Sequence, residues 1–153
     1  MKDVCIRAGE FGDLASVLAL ERATVEAPHW SEAEYAAAIG GSGDYLRRCL
    51  FVADVEGALI GFAVGKVAGN SAELESIAVD LQARRGGVGR ALCGVVIDWC
   101  KRAGAAAVEL EVRASSESAI RLYQGLGFVP VGRRPRYYSG PVDDSVLMRL
   151  ELP

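Results

Sequence analysis

A short segment that joins a strand to a helix through glycines constrains this chain more than any other feature. Residues 76–80 read as the end of a strand, and residues 84–90 (Arg-Arg-Gly-Gly-Val-Gly-Arg) read as a turn that opens a helix. The first amides of a helix lack intrahelical acceptors and carry partial positive charge. Gly86 and Gly87 tolerate the positive φ that turns successive amides inward, and Gly89 leaves room beside the backbone. The turn, with its three arginines, therefore predicts a pyrophosphate site.

The glycine pattern does not match the two common nucleotide-binding motifs. A P-loop needs Gly-Lys-Ser/Thr, and the dinucleotide fingerprint needs a third glycine where this chain has Leu92. The spacing Arg84-x-x-Gly87-x-Gly89 is similar to the acetyl-CoA signature of the GNAT N-acetyltransferases. The same residues also suit an ordinary turn that enters a helix, so other parts of the chain have to distinguish the two readings.

Length, charge and cysteine spacing favour a single enzyme domain. The 153 residues, 51% of them hydrophobic, suffice for one core, so residues 1–153 are predicted to form one domain. A net charge of −3 disfavours the broad cationic surface that nucleic acids require. No leader pattern or long apolar stretch is found, so a cytoplasmic protein without membrane attachment is expected. The four cysteines lack paired spacing and the only histidine is His29, so no metal site is predicted.

The chain alternates between strand and helix patterns. Four helices are predicted. The first begins at Asp13, the second begins at the capping box Ser31-x-x-Glu34 and ends at Gly40-Gly41, the third follows the glycine turn, and the fourth is capped by Ser115 or Ser116. Strands are predicted at residues 4–7, 49–55, 58–67, 72–79, 105–113, 128–138 and 145–152. A crossover between parallel strands is expected around the third helix, and antiparallel pairs elsewhere. The fold class is therefore α/β (α+β), with a mixed, mostly antiparallel sheet.

The second half of the chain carries a longer motif. Residues 110–128 contain Leu-Glu-Val-Arg-x-Ser-Ser-x-x-Ala-x-x-Leu-Tyr-x-x-x-Gly-Phe. This motif is similar to one of the RimI-like ribosomal-protein alanine N-acetyltransferases of the GNAT superfamily, in which Asn is usual where this chain has Ser116. Pro28-x-Trp30-Ser31-Glu32 and the tail Arg133-Arg134-x-x-Tyr137-Tyr138 extend the resemblance over the whole chain.

The resemblance implies a GNAT fold of about seven strands and four helices, with acetyl-CoA in a V-shaped split between the central parallel strands. It implies that Glu111 is the general base and Tyr123 the general acid. The cofactor residues that it implies are Ile77, Ala78 and Val79 for the acetyl group and pantetheine, Arg85, Gly86, Gly87, Val88, Gly89 and Arg90 for the pyrophosphate, and Ser116 in place of the family's Asn. The substrate residues that it implies are Trp30, Tyr137 and Tyr138.

The residues themselves agree with parts of this assignment and leave alternatives open. Alternation in residues 108–113 puts Glu111 on the polar face of its strand, which also suits a solvated carboxylate or a partner of Arg113. Tyr123 suits ordinary core packing as well as catalysis. In other GNAT branches the base lies on the strand before the glycine turn, so Glu75 is the reserve candidate.

The function expected from the resemblance is acetyl transfer from acetyl-CoA to the N-terminal α-amino group of a protein, of which a ribosomal protein is one type. Direct attack in a ternary complex needs no metal, and the enzyme is expected to be a monomer or weak dimer. Two alternatives remain: a GNAT enzyme for a small amine such as a polyamine, aminoglycoside or amino acid, and a non-catalytic acyl-CoA-binding module.

Overall fold

The protein consists of a central sheet covered by helices on both faces. The computed structural model describes residues 3–24, 27–40, 43 and 45–153. Within them, the strands are β1 (Cys5–Ala8), β2 (Leu46–Val55), β3 (Ala58–Ala68), β4 (Ser71–Val79), β5 (Ala107–Arg113), β6 (Val129–Tyr138) and β7 (Asp143–Glu151). The α-helices are α1 (Leu14–Ala23), α2 (Glu32–Gly40), α3 (Val88–Arg102) and α4 (Glu117–Gly125). Short 3-10 turns span Phe11–Asp13 and Leu81–Ala83.

The strands form one seven-stranded sheet in the order β1-β2-β3-β4-β5-β7-β6. The β4–β5 pair is parallel and the other neighbouring pairs are antiparallel. The parallel strands are joined by α3, which is the crossover that a parallel connection requires. The mixed, mostly antiparallel sheet predicted from the sequence is confirmed. Element boundaries differ from the prediction by at most three residues.

Local sequence signals account for several of these boundaries. The Ser31 amide donates to the Glu34 carboxylate at 3.1 Å and the Glu34 amide donates to Ser31 Oγ at 3.2 Å, so the predicted capping box begins α2. Gly40 is the last residue of α2, while Gly41, also predicted to end it, lies outside the described residues. Glu56 and Gly57 both have positive φ, at 52° and 85°, as the tight β2–β3 hairpin requires.

Two hydrophobic clusters lie on opposite faces of the sheet. On one face α3 contributes its buried stripe, Val88, Leu92, Cys93, Val96 and Cys100, and Tyr123 of α4 joins the same cluster. On the other face α1 and α2 contribute Val17, Tyr35 and Ala38, which pack with the alternate residues of β2 and β3.

Close approach of α3 to the sheet depends on glycine at position 61. A Cβ there would lie 3.0 Å from Leu92 Cδ1 and 3.2 Å from the Ala78 carbonyl oxygen. Because glycine has no side chain, the first turn of α3 can pack directly against β3 at this position. The same packing places the beginning of α3 beside the end of β4, where the candidate site lies.

Candidate active site

The two parallel strands separate after a short paired stretch. β4 and β5 are in register only from Ser71 opposite Ala107 to Glu73 opposite Glu109. Beyond these residues the strands diverge, and a cavity of about 610 Å³ opens between them. Its walls are residues 74–79 of β4, residues 110–113 of β5, the turn residues Arg84, Arg85, Gly87, Gly89 and Arg90, the α4 segment residues Ser116, Ser118, Ala119, Leu122 and Tyr123, and Thr24, Pro28 and Tyr138.

A β-bulge in β4 contributes to the shape of the split. The β3–β4 register passes from Val64 opposite Ser76 to Gly65 opposite Leu74, so Glu75 is the extra residue on β4. Past the bulge, Ile77, Ala78 and Val79 pair with β3 along one edge only. Their other edge faces the cavity, which leaves backbone groups of β4 available to a ligand.

The glycine turn presents the beginning of α3 to this cavity. Gly87 is the N-cap residue in a left-handed conformation with φ of 84°, and no side chain caps the helix there. From the sequence, Gly86 and Gly87 are the residues that tolerate positive φ, and the structure has positive φ at Gly87 and at Arg85, where it is 69°. Gly86 and Val88 lie outside the cavity lining, Val88 because it is buried in the core.

Arginines surround this helix end. Arg84, Arg85 and Arg90 line the cavity, and Arg84 Nε donates to the Val79 carbonyl at 3.1 Å. The first turn of α3 contains no acidic residue. Uncapped amides, the helix dipole and these guanidinium groups all contribute positive potential at this end of the cavity, which is the electrostatic environment that an anionic group such as a pyrophosphate requires.

Glu111 lies on the wall that β5 contributes. Val108, Leu110 and Val112 point into the α3 cluster, so the alternation places Glu111 on the opposite face, as the sequence predicted. Its carboxylate accepts a hydrogen bond from the buried Ser145 Oγ at 2.7 Å and lies 3.6 Å from an Arg134 nitrogen. Its side chain is 27% exposed, and Glu111 is one of the residues that line the cavity.

Tyr123 reaches the cavity from α4, whose N-cap residue is Ser116. The tyrosine is 6% exposed, and its ring packs edge-on against Phe128 with centroids 6.0 Å apart. Core packing and cavity lining therefore coexist in this residue. Ser116 also lines the cavity, and its side chain makes no capping hydrogen bond to α4.

The two tyrosines at the end of β6, Tyr137 and Tyr138, lie in different environments. Tyr138 lines the cavity, and the Arg113 guanidinium lies 4.5 Å from its ring centroid. Burial and the nearby Glu111 charge raise the pKa of Tyr138 above its ordinary value. Tyr137 is 52% exposed and lies outside the cavity lining, against the Arg134 guanidinium.

Two other sequence candidates have defined surroundings. Trp30 is outside the lining and packs on Tyr35, with ring centroids 5.2 Å apart. Glu75 lines the cavity, but its carboxylate accepts from Arg48 Nε at 2.8 Å and lies 3.7 Å from Lys66 Nζ. Pro28, the first residue of the loop motif quoted from the sequence, lines the cavity. Thr24 also lines it, and the sequence did not single out this residue, since a threonine does not signal a ligand on its own.

Comparisons with known proteins identify the family. The family model for the acetyltransferase (GNAT) family matches residues 16–128. The [Ribosomal protein bS18]-alanine N-acetyltransferase of Escherichia coli is 36% identical over 145 residues, which cover 94% of each chain. The chain belongs to the GNAT family. It is thus an acetyl-CoA-dependent N-acetyltransferase, and the family resemblance found in the sequence is confirmed.

Solved structures share the fold of this chain. The crystal structure of the E. coli ribosomal-protein-S18-alanine N-acetyltransferase superposes with a TM-score of 0.80, over 97% of this chain and 94% of that one. This match confirms the predicted GNAT fold. A putative acetyltransferase from Salmonella typhimurium, described with its cofactor acetyl-CoA, has a TM-score of 0.80 at 21% identity and covers 99% and 95% of the two chains.

A further relative matches over part of its length only. An uncharacterized Mycobacterium leprae protein is 48% identical over 79 residues, which cover 52% of this chain and 21% of that protein. This chain thus spans about a fifth of that relative. In the part of this GNAT chain that the structure describes, no helix is long and apolar enough to cross a membrane, and no group of three or more potential metal ligands occurs.

Proposed function

We propose that this enzyme acetylates the N-terminal α-amino group of a protein. One observation carries the proposal: a single cavity is lined by the arginine-flanked beginning of α3 and also by Glu111 and Tyr123. The relative matched over 94% of both chains is named for acetylation of an alanine of ribosomal protein bS18. A protein N-terminus, of a ribosomal protein or another, is therefore the acceptor class that we infer.

The chain's own residues fit acetyl-CoA. The amides at the start of α3, with Arg85, Gly87, Gly89 and Arg90 around them, would hold the pyrophosphate. The backbone edge of Ile77, Ala78 and Val79 that faces the cavity would bind the pantetheine arm and the acetyl group. Gly86 and Val88 would act through the shape of the turn, because they lie outside the lining. Ser116 would offer a single hydroxyl donor to the arm.

Two side chains would move the protons of the reaction. Acetyl-CoA supplies the acetyl group as a thioester. An α-amino group has a pKa near 8, so the bound ammonium has to lose a proton before nitrogen can attack, and Glu111 would accept that proton. The N–C bond forms and the C–S bond breaks, and Tyr123 would donate its phenol proton to the departing sulfur. The second proton that nitrogen loses on becoming an amide would restore the tyrosine, so the proton held by Glu111 is the one released to solvent. No covalent enzyme intermediate and no metal are required.

The acceptor groove would include aromatic side chains from two directions. Tyr138 lines the cavity beside Glu111, and the neighbouring Tyr137 extends the aromatic surface outward. Trp30 lies at the α1–α2 loop, whose Pro28 and Thr24 reach the cavity. A peptide that enters between this loop and the end of β6 would place its amino group at Glu111.

Acetyl transfer to a peptide library tests the proposal. The enzyme is incubated with acetyl-CoA and peptides of varied first residues, each with one internal lysine, and fragment mass spectra locate the acetyl group. We expect acetylation of the α-amino group. Reaction confined to lysine side chains, or to a matched panel of polyamines, aminoglycosides and amino acids, would contradict a protein N-terminus as the acceptor. Binding of acetyl-CoA without any acetylated amine would indicate the non-catalytic module.

A further inference from the structure

A buried carboxylate lies beneath the acceptor side of the cavity and has no role in the mechanism above. Glu21 of α1 is fully buried. One of its oxygens accepts from the Trp30 amide at 2.7 Å and from the Tyr35 hydroxyl at 2.8 Å, and the other contacts the Arg22 guanidinium. These partners are all donors, which is the arrangement of an ionised carboxyl group. Such a buried charge is costly unless its hydrogen bonds are satisfied, as they are here.

The hydrogen bonds have a defined direction. The Tyr35 hydroxyl has one proton, which goes to Glu21 because a carboxylate only accepts. At the 3.0 Å contact between Tyr35 and Ser76, the tyrosine oxygen must therefore accept and Ser76 Oγ must donate. The Ser76 proton is thus directed away from the split toward α2. Its oxygen keeps lone pairs that can accept a hydrogen bond from another donor.

Ser76 lies where an acceptor amine has to approach. It directly follows the bulge residue Glu75 on β4 and is one of the cavity-lining residues, although only 4% exposed. Its side chain points to the α2 face of the sheet, because its partner is Tyr35. Glu111 also lies on the face away from α3, on the opposite wall of the split. The two walls therefore offer a hydroxyl oxygen and a carboxylate on the same side of the sheet.

We propose that the Ser76 hydroxyl accepts a hydrogen bond from the acceptor's amino group, and that Glu21 and Tyr35 are positioning residues that orient this hydroxyl. The inference rests on the proposed function for its amine, and it adds a specificity element to it. Ser76 favours an acceptor with N–H donors, and Glu111 removes one proton. An amine held by both walls would direct its lone pair between them.

The same carboxylate also holds the loop at the acceptor side. Glu21 binds the Trp30 amide, while Arg22 contacts Glu21 and donates to the Trp30 carbonyl at 2.6 Å. Trp30 is thus fixed through both of its backbone groups, and its ring lies on Tyr35. Loop position and Ser76 orientation therefore depend on one buried charge.

Substitution of Ser76 tests the proposal, because it should change the KM for the acceptor and not the KM for acetyl-CoA. Both KM values are measured with the best acceptor found in a panel of peptides and small amines. We expect Ser76→Ala to raise the acceptor KM about tenfold, the effect of removing one hydrogen bond to a charged group, while the acetyl-CoA KM stays within twofold. Ser76→Thr keeps the hydroxyl and should restore most of the loss. Ser71→Ala on the same strand but outside the split is the matched control.

The Tyr35→Phe variant distinguishes an effect on the orientation of the Ser76 hydroxyl from a loss of protein stability. This variant keeps the ring in the core but removes the oxygen to which Ser76 donates. We expect a rise in the acceptor KM of about three- to fivefold, less than for Ser76→Ala because the serine hydroxyl remains. Unfolding midpoints measured alongside identify any general loss of structure.

Each result bears on one of the two proposals. An unchanged acceptor KM in Ser76→Ala, or equal rises in both KM values, would overturn the role of Ser76. If the panel shows that only small amines react, the protein acceptor is wrong, and the Ser76 test proceeds with that amine. A loss that Ser76→Thr does not restore would also overturn the hydroxyl's role.

Discussion

At the scale of single residues, the position of Glu111 yields the sharpest prediction. Glu111→Gln keeps the shape and the Ser145 contact but cannot accept a proton. We expect kcat/KM to fall by about 100-fold near pH 6.5, where the acceptor amine is mostly protonated, and by much less near pH 9, where it is largely free. The measurement is a pH profile of initial rates for both enzymes.

Glu109 provides a matched control for this experiment. It lies on the same face of β5 as Glu111, two residues earlier, but its side chain is 51% exposed and pairs with Arg149 at 3.3 Å. Glu109→Gln should leave the pH profile unchanged. A Glu111→Gln loss of equal size at both pH values would exclude Glu111 as the base and bring Glu75 forward.

Tyr123 gives a second prediction at this scale. Tyr123→Phe keeps the ring that packs on Phe128 and removes only the hydroxyl. We expect kcat to fall by about 100-fold with an unchanged acetyl-CoA KM, because proton donation to the leaving sulfur is lost while cofactor binding is not. Stopped-flow rates at saturating substrates measure this, with the exposed Tyr45→Phe as control. If the variant has the same kcat as the parent enzyme, Tyr123 is not the general acid and serves only in packing.

At the scale of elements, the beginning of α3 depends on the backbone conformation of one glycine. Gly87 has φ of 84°, and a Cβ there would meet no atom within 4 Å, so the cost of a side chain is conformational. Gly87→Ala should lower the free energy of unfolding by about 1 kcal/mol. Gly94→Ala, inside α3 with an equally open Cβ position, should raise it by about 0.5–1 kcal/mol.

Urea unfolding of the two glycine variants measures these opposite shifts. The pair is informative because the same Gly-to-Ala change is made at two sites of different backbone conformation. Gly87 is the left-handed N-cap of α3, and Gly94 lies within the helix. Gly87→Ala should also raise the acetyl-CoA KM, because a distorted first turn misplaces its amides. Shifts of the same sign in both variants would mean that the left-handed cap does not govern the stability of this helix end.

At the scale of the whole molecule, the thiols report on the integrity of the core. Burial raises the pKa of Cys49 and Cys93 to about 12 and that of Cys100 to about 11, so all three stay protonated near neutral pH. Cys5 is exposed. We expect a maleimide to label one thiol rapidly in the native protein, and the other three only at the rate of unfolding.

Intact-mass kinetics follow this labelling, and Cys5→Ser should abolish the rapid phase. Acetyl-CoA should slow labelling of the buried thiols, because a ligand that binds the folded state reduces opening. Rapid labelling of two or more thiols in the native protein would show that the α3 side of the core opens locally without global unfolding.

Local patterns predicted much of the element order because their causes are local. The capping box at Ser31 and Glu34, the Glu56-Gly57 turn and the alternation around Glu111 each involve residues within a few positions of one another. The parallel β4–β5 pair followed from a helix between two strands, which leaves few topologies. The family resemblance then supplied the candidate residues that the patterns alone left ambiguous.

Long-range packing decided the features that these patterns did not predict. The placement of β7 between β5 and β6 brings Ser145 to Glu111, 34 positions away in sequence. The bulge at Glu75 and the burial of Glu21 beneath Ser76 depend on partners on other elements. Nothing near Glu21 in sequence distinguishes it from a solvated helix carboxylate.

By itself, the sequence determined the alternation of strands and helices, the turn before α3 and the family, because propensity, capping and motif spacing act over short separations. Only the tertiary structure decided which side chains share the cavity. Of the three expected substrate residues it placed Tyr138 in the lining and left Tyr137 and Trp30 outside; it also added Ser76 to the lining and paired Glu75 with Arg48. The physical reason is that strand order, bulges and buried charge networks depend on contacts between residues that are distant along the chain.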